Sequence, residues 1–150
     1  MSEPQPIAPF SIARLPRIEF GAGAIRTLPD LAARHGTRLL LVTGARSFSA
    51  SAHAGPLFAA LRERGCSWQT VQIAGEPSPE LVDDAVRAFR GERIAAVIGI
   101  GGGSVLDAAK AMAGLLVPGN SVTDHLEGVG PERPYRGPAT PFIAVPTTAG

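Results

Sequence analysis

Five apolar residues in a row, Ile94-Ala95-Ala96-Val97-Ile98, pass directly into the closely spaced glycines Gly99, Gly101, Gly102 and Gly103, and then into helical spacing that begins at Ser104. Few folds accept that order. An unbroken apolar run suits a strand covered on both faces, as in the middle of a parallel sheet. Glycine after it lets the backbone turn sharply with no Cβ in the way, and a helix opening at Ser104 leaves free N–H groups at the positive end of its dipole. Together these features predict a phosphate site at a strand–turn–helix junction.

The residues distinguish this turn from two related ones. A P-loop requires Lys and then Ser or Thr after its last glycine, where Ser104 and Val105 stand. The dinucleotide fingerprint G-x-G-x-x-G is met only at Gly99 and Gly101, because its third glycine position holds Ser104. Asp124 lies at about the spacing of a ribose-binding acid, but no strand pattern leads into it. Ser104 and Asp107 also satisfy the S-x-x-D pattern of a capping box, so a structural and a ligand-facing role both stand open for them. An acid in the first turn repels phosphate, so a ligand-facing Asp107 points to donors such as a sugar hydroxyl or a carboxamide. Lys110, the only lysine in the chain, falls three residues on and is expected to pair with Asp107.

With 150 residues, of which 45% are hydrophobic, the chain can bury the core of one domain. A net charge of +1, carried by scattered arginines, excludes the basic patch of a nucleic-acid or anionic-membrane partner. No apolar run approaches the length of a membrane span, and MSEPQPIAPF lacks the pattern of a secretory signal. Cys66 is alone and staples nothing. A cytoplasmic location is expected.

Along the chain, residues 1–9 read as a tail, and Phe10 to Phe20 shows strand-like alternation interrupted by Pro16. Ile25, Leu28, Leu31 and Ala32 recur at helical spacing until Gly36. Leu39 to Thr43 is a second buried-type strand, leading into the turn Gly44 to Ser47 and a loop from Phe48 to Gly55. Pro56 begins a helix that Gly65 stops. Trp68 to Ile73 alternates as a half-exposed strand. Ser78 and Pro79 form an N-cap and first-turn proline for a helix striped by Val82, Ala85, Val86 and Phe89. After the helix from Ser104 to Leu116, residues Pro118 to Pro141 show no period and read as a functional or covering loop. Phe142 to Val145 is a last strand, broken by Pro146.

Alternating strands and helices imply right-handed crossovers and a mostly parallel, Rossmann-like α/β sheet covered by helices. Ligands of such sheets bind beyond the carboxyl ends of the strands. Four turns fall there: Gly44 to Ser47, Gly75 to Ser78, Gly99 to Ser104 and Pro146 to Gly150. Four polar or glycine-rich turns at one edge suit an extended ligand.

The order and content of these turns resemble the N-terminal domain of the iron-containing alcohol dehydrogenases, which share a dehydroquinate synthase-like fold with glycerol dehydrogenase. The likeness runs from Pro16 to Gly150. It rests on Phe20-Gly21-Ala22-Gly23, on the run Gly101-Gly102-Gly103-Ser104-Val105-Leu106-Asp107-Ala108-Ala109-Lys110, and on Val145-Pro146-Thr147-Thr148-Ala149-Gly150. What the resemblance implies is a nicotinamide dinucleotide with its diphosphate at Gly102, Gly103 and Ser104. Asp107 is then near the nicotinamide, Thr147 and Thr148 contact the cofactor from the neighbouring strand, and Ser78 lies near the adenosine ribose or simply caps its helix. Family members transfer hydride between this cofactor and a small alcohol or aldehyde at a divalent metal, usually iron, and a homo-oligomer is expected.

The chain departs from that pattern in two places. Many NAD-using members carry an acid after the strand that here ends in Val42 and Thr43, whereas this chain has Gly44, Arg46 and Ser47. Without the acid a 2′-phosphate is not repelled, and Arg46 can pair with it, so NADP is favoured over NAD. The second departure is that Gly150 falls inside the last motif, so the helical metal-binding domain is expected after residue 150, with the fragment inactive alone. No metal ligands are assigned here: His35, His53 and His125 are scattered, and Asp124-His125-x-Glu127 lacks ligand spacing. The catalytic residues are therefore unknown. Two alternatives remain: a maleylacetate reductase or glycerol dehydrogenase-like enzyme on the same fold, and a non-catalytic nucleotide-binding module.

Overall fold

The computed structural model describes residues 15–148. The tail expected over residues 1–9, the opening of the strand expected from Phe10, and the final Ala149-Gly150 lie outside the described residues. Strands β1 (Arg38–Gly44), β2 (Ser67–Ile73), β3 (Ala96–Gly101) and β4 (Phe142–Pro146) alternate with helices α1 (Leu28–Ala33), α2 (Ala54–Glu63), α3 (Pro79–Phe89) and α4 (Gly103–Leu115). The strands form one sheet in the order β2-β1-β3-β4, every pair parallel. This is the expected α/β architecture. Because all four strands run the same way, their carboxyl ends share one edge.

The central pair β1 and β3 explains its own composition. Successive side chains of a strand point to opposite faces. Leu39 and Leu41 therefore join Ile98 and Ile100 against Leu28, Leu57 and Leu61 of α1 and α2. Leu40, Val42 and Val97 face the other way, onto Val82 and Val86 of α3 and Ala108 and Met112 of α4. Both faces are covered, so both must be apolar, and each fully buried Leu or Ile contributes about 1.5–3 kcal/mol relative to exposure. Strand β2 lies at the sheet edge, and its buried-to-exposed mixture matches the half-exposed reading.

Several local expectations are corrected. Gly99 and Gly101 belong to β3, which spans Ala96–Gly101 rather than Ile94 to Ile98, and neither they nor Gly102 and Gly103 have a positive φ. Their role is close approach. A Cβ on Gly99 would lie 2.8 Å from that of Ala109, and one on Gly101 would lie 2.6 Å from Val105 Cγ2. Glycine here lets α4 rest on the strand; the turn is confined to Gly102, which is extended and N-caps α4. The Ser104–Asp107 capping box does not form, since the Ser104 hydroxyl bonds elsewhere. Asp107 and Lys110 are exposed, and their expected pairing is not among the ion pairs of the described residues.

Residues Leu15 to Phe20 are irregular instead of a strand, with Ile18 72% and Phe20 100% exposed. Alternation marks two faces, but a strand needs a neighbour to complete its ladder, and none of the described strands pairs with this segment. Helix α2 starts at Ala54, two residues before Pro56, because a first-turn N–H has no intrahelical acceptor for proline to forfeit. The long stretch after α4 contains a short 3-10 turn, Val122–His125. It is fastened by Asp83 of α3, which accepts from Val122 N (2.8 Å) and Ser121 Oγ (2.5 Å). Tyr135 Oη donates to the Gly114 carbonyl at 3.0 Å, and Thr140 N to that of Ala113 at 2.9 Å. The stretch is thus a covering loop over α3 and α4.

Candidate functional site

The carboxyl edge of the sheet converges on the first turn of α4. That helix begins where β3 stops, so the Gly103 and Ser104 amides sit at a helix mouth without intrahelical acceptors. Val105 N and Leu106 N both bond to the Gly102 carbonyl at 3.1 Å. A Cβ on Gly103 would meet nothing within 4 Å, so the mouth is open on that side. Such a mouth, with a helix dipole behind it, favours an anion.

Each neighbouring strand end brings something to it. From β4, Thr147 N donates to the Gly101 carbonyl at 2.9 Å, and Thr148 lies 3.5 Å from where a Gly102 Cβ would be. From β1, the Ser47 hydroxyl lies 3.2 Å from a Cβ built on Gly44, and Val105 of α4 follows at 3.9 Å. From β2, Glu76 Oε1 accepts the Ser104 hydroxyl at 3.0 Å. Gly44, Ser47, Gly102, Gly103, Ser104, Thr147 and Thr148 therefore line one edge, as their sequence positions suggested.

Others are engaged differently. Ser78 accepts from Leu81 N at 3.3 Å and so caps α3. Arg46 is exposed; its carbonyl accepts from Ser49 Oγ at 3.2 Å and Ala50 N at 3.1 Å, making a tight turn, and its guanidinium is in none of the ion pairs among the described residues. Asp107 is exposed in the second turn of α4. Glu76 was not singled out from the sequence, although its place in a strand-end turn between Gly75 and Pro77 was the available signal.

The scattered histidines do not make a metal centre. His125 donates from Nδ1 to the Arg133 carbonyl at 2.7 Å and meets Asn120 Nδ2 at 2.7 Å through Nε2, while Asp124 accepts from the same Asn120 amide at 3.3 Å. Among the described residues no three His, Cys, Asp or Glu side chains come together to hold a metal ion. Cys66 is buried, and burial pushes its thiol pKa up, away from the reactive thiolate.

An open parallel sheet with its polar turns gathered at the carboxyl edge, around a glycine-flanked helix mouth, defines the class of α/β proteins that bind ligands at that edge. Residues 16–150 match the model of the iron-containing alcohol dehydrogenases, and the chain belongs to that family. It is similar to long-chain-alcohol dehydrogenase 1 of Geobacillus thermodenitrificans, 33% identical over 94% of this chain and 36% of that protein. Choline dehydrogenase of Bacillus subtilis is 30% identical over 89% of this chain and 33% of its own length. Among solved structures, NADH-dependent butanol dehydrogenase A of Thermotoga maritima superposes with a TM-score of 0.77 at 27% identity, covering 92% of this chain and 34% of that one. The dehydroquinate synthase-like fold is thus shared, and the chain spans about a third of the length of these relatives. No helix of the described residues is long and apolar enough to cross a membrane.

Proposed function

We propose that this segment is the cofactor-binding part of an NAD(P)-dependent alcohol dehydrogenase or aldehyde reductase. The observation that carries the reading is the convergence of the β1, β2 and β4 turns on the amino end of α4, with Thr147 bonded to Gly101 and Glu76 to Ser104. The residues suit a dinucleotide: an open mouth at Gly103 for the diphosphate and, flanking it, Thr148 on one side and the Gly44–Ser47 turn on the other. Bound there, the nicotinamide would supply the hydride chemistry. The protein's own part is to hold the diphosphate with the Gly102, Gly103 and Ser104 backbone, and to orient the two ends of the cofactor along the edge. Thr147, Thr148 and Asp107 then lie toward the nicotinamide end, Ser47 and Ser78 toward the adenosine.

Arg46 gives the reading its finer form. It follows β1 where no acid stands, and its guanidinium can form charge-assisted bonds with a 2′-phosphate; on that basis NADP is preferred to NAD. The iron in the family's name is, on this reading, held by the further length that the relatives have, since no three His, Cys, Asp or Glu side chains come together among the described residues. A small alcohol or aldehyde substrate, a homo-oligomeric assembly and a cytoplasmic location belong to the same proposal.

Calorimetric titration of the complete protein with NADPH and NADH tests it. NADPH is expected to bind more tightly, and Arg46→Ala to weaken NADPH by about tenfold or more while leaving NADH nearly unchanged. A marked NADH preference indifferent to Arg46→Ala refutes the NADP assignment, and failure to bind either cofactor refutes the whole reading.

A further inference from the structure

A serine hydroxyl has one proton to give, and the one at the mouth of α4 is already given away. Ser104 Oγ donates to Glu76 Oε1 at 3.0 Å, across 28 residues of sequence. The main chain around the carboxylate is shaped by its neighbours. Gly75, at φ +87, turns the chain out of β2, and Pro77 restricts Glu76 itself to extended backbone. Through its bond to Ser104, the turn brings an acid to the helix end that favours anions.

An ionised carboxylate only accepts hydrogen bonds, so Glu76 can satisfy Ser104 and the helix end but cannot donate to a phosphate. A diphosphate settling on the Gly103 and Ser104 amides would therefore meet a hydroxyl whose proton points away from it, with a like charge one hydrogen bond further on. To gain the Ser104 donor it must take that donor from Glu76.

We propose that Glu76 sets the affinity of the dinucleotide site downward: it competes for the Ser104 proton and repels the diphosphate, so that the cofactor is released readily between turnovers. This rests on the dinucleotide reading above and adds to it a residue that acts against binding. Arg46 on the β1 side and Glu76 on the β2 side then have opposite effects at one edge, the first holding a 2′-phosphate and the second loosening the diphosphate common to both cofactors.

The test is titration and stopped-flow release of NADPH and of ADP-ribose from the complete protein, comparing wild type, Glu76→Gln, Ser104→Ala and the double variant. Glutamine keeps an acceptor for Ser104 but carries no charge. Glu76→Gln is expected to tighten both ligands about two- to fivefold through slower release, as befits an exposed charge, and the gain should shrink as salt is raised. In the Ser104→Ala background the gain should be smaller, because only the repulsion remains to be relieved. Binding by the wild type that Glu76→Gln leaves unchanged overturns this proposal alone. Binding weakened by Glu76→Gln also overturns it, and would make Glu76 an acceptor for a ribose hydroxyl. A wild type that binds neither ligand overturns the dinucleotide reading and this proposal with it.

Discussion

Gly99 sits where β3 and α4 approach closely, and its missing side chain is what permits the contact. The Cβ of an alanine there would lie 2.8 Å from the Cβ of Ala109, and neither atom can rotate away because both are fixed to backbone. Gly99→Ala is expected to cost about 1–3 kcal/mol by overpacking, read as a lower urea midpoint at unchanged slope. Gly103→Ala makes the control, since nothing lies within 4 Å of that position. Equal stability of the two variants would refute the packing role. The same residues show how far local sequence reaches: a glycine cluster after an apolar run announces a junction, but whether a given glycine turns or makes room depends on which neighbour lies above it. Ser78 shows the favourable case, because an N-cap followed by proline is a local device, and α3 begins where that device lies.

At the scale of elements, one side chain ties the first part of the covering loop to α3. Asp83 accepts both the Ser121 hydroxyl and the Val122 amide, and each bond is made to a charged acceptor in a partly buried setting. Asp83→Ala is expected to destabilise the protein by about 2–3 kcal/mol, and hydrogen exchange should show the Val122 amide losing protection ahead of the strands. Unchanged exchange at Val122 would show that the loop is held by Tyr135 and Thr140 alone. Periodicity located the four strands and the helices to within a few residues because burial on one or two faces imposes it. It had nothing to say about residues 118–141, whose order comes from single polar contacts with no repeat. The alternation in Arg17 to Phe20 misled for a related reason: it describes side chains, whereas a strand exists only when another backbone pairs with it.

Across the whole molecule, the helices on one face of the sheet are tied by a surface ion pair. Arg64, which caps α2, donates from Nε to Asp30 Oδ1 of α1 at 2.5 Å and from Nη1 to the Ala60 carbonyl at 2.9 Å. The Arg64 guanidinium holds the Asp30 carboxyl below the usual carboxylate range, chiefly through that hydrogen bond. A depressed folded-state pKa means that the contribution is complete above the ordinary value near 3.9 and fades as pH falls through the lower folded value. Asp30→Asn is thus expected to lower the melting temperature slightly at neutral pH, with the gap to wild type closing below about pH 4; a gap that persists or widens in acid refutes the assignment. The pair is exposed, so the effect is small.

The alternation of apolar runs and helical stripes, the parallel α/β class, the shared carboxyl edge and the strand–helix junction at Ser104 were all legible in the chain alone. They follow from period, burial and cap chemistry, which act over a few residues. Only the tertiary structure decided that Gly99 and Gly101 make room for α4 instead of turning, that Ser104 leaves Asp107 for Glu76, and that Asp83 claims the loop after α4. Those contacts join residues 28 to 39 positions apart, or depend on a helix settling onto a strand at one distance. Side-chain identity specifies such partners only after the right-handed crossovers have brought the elements together.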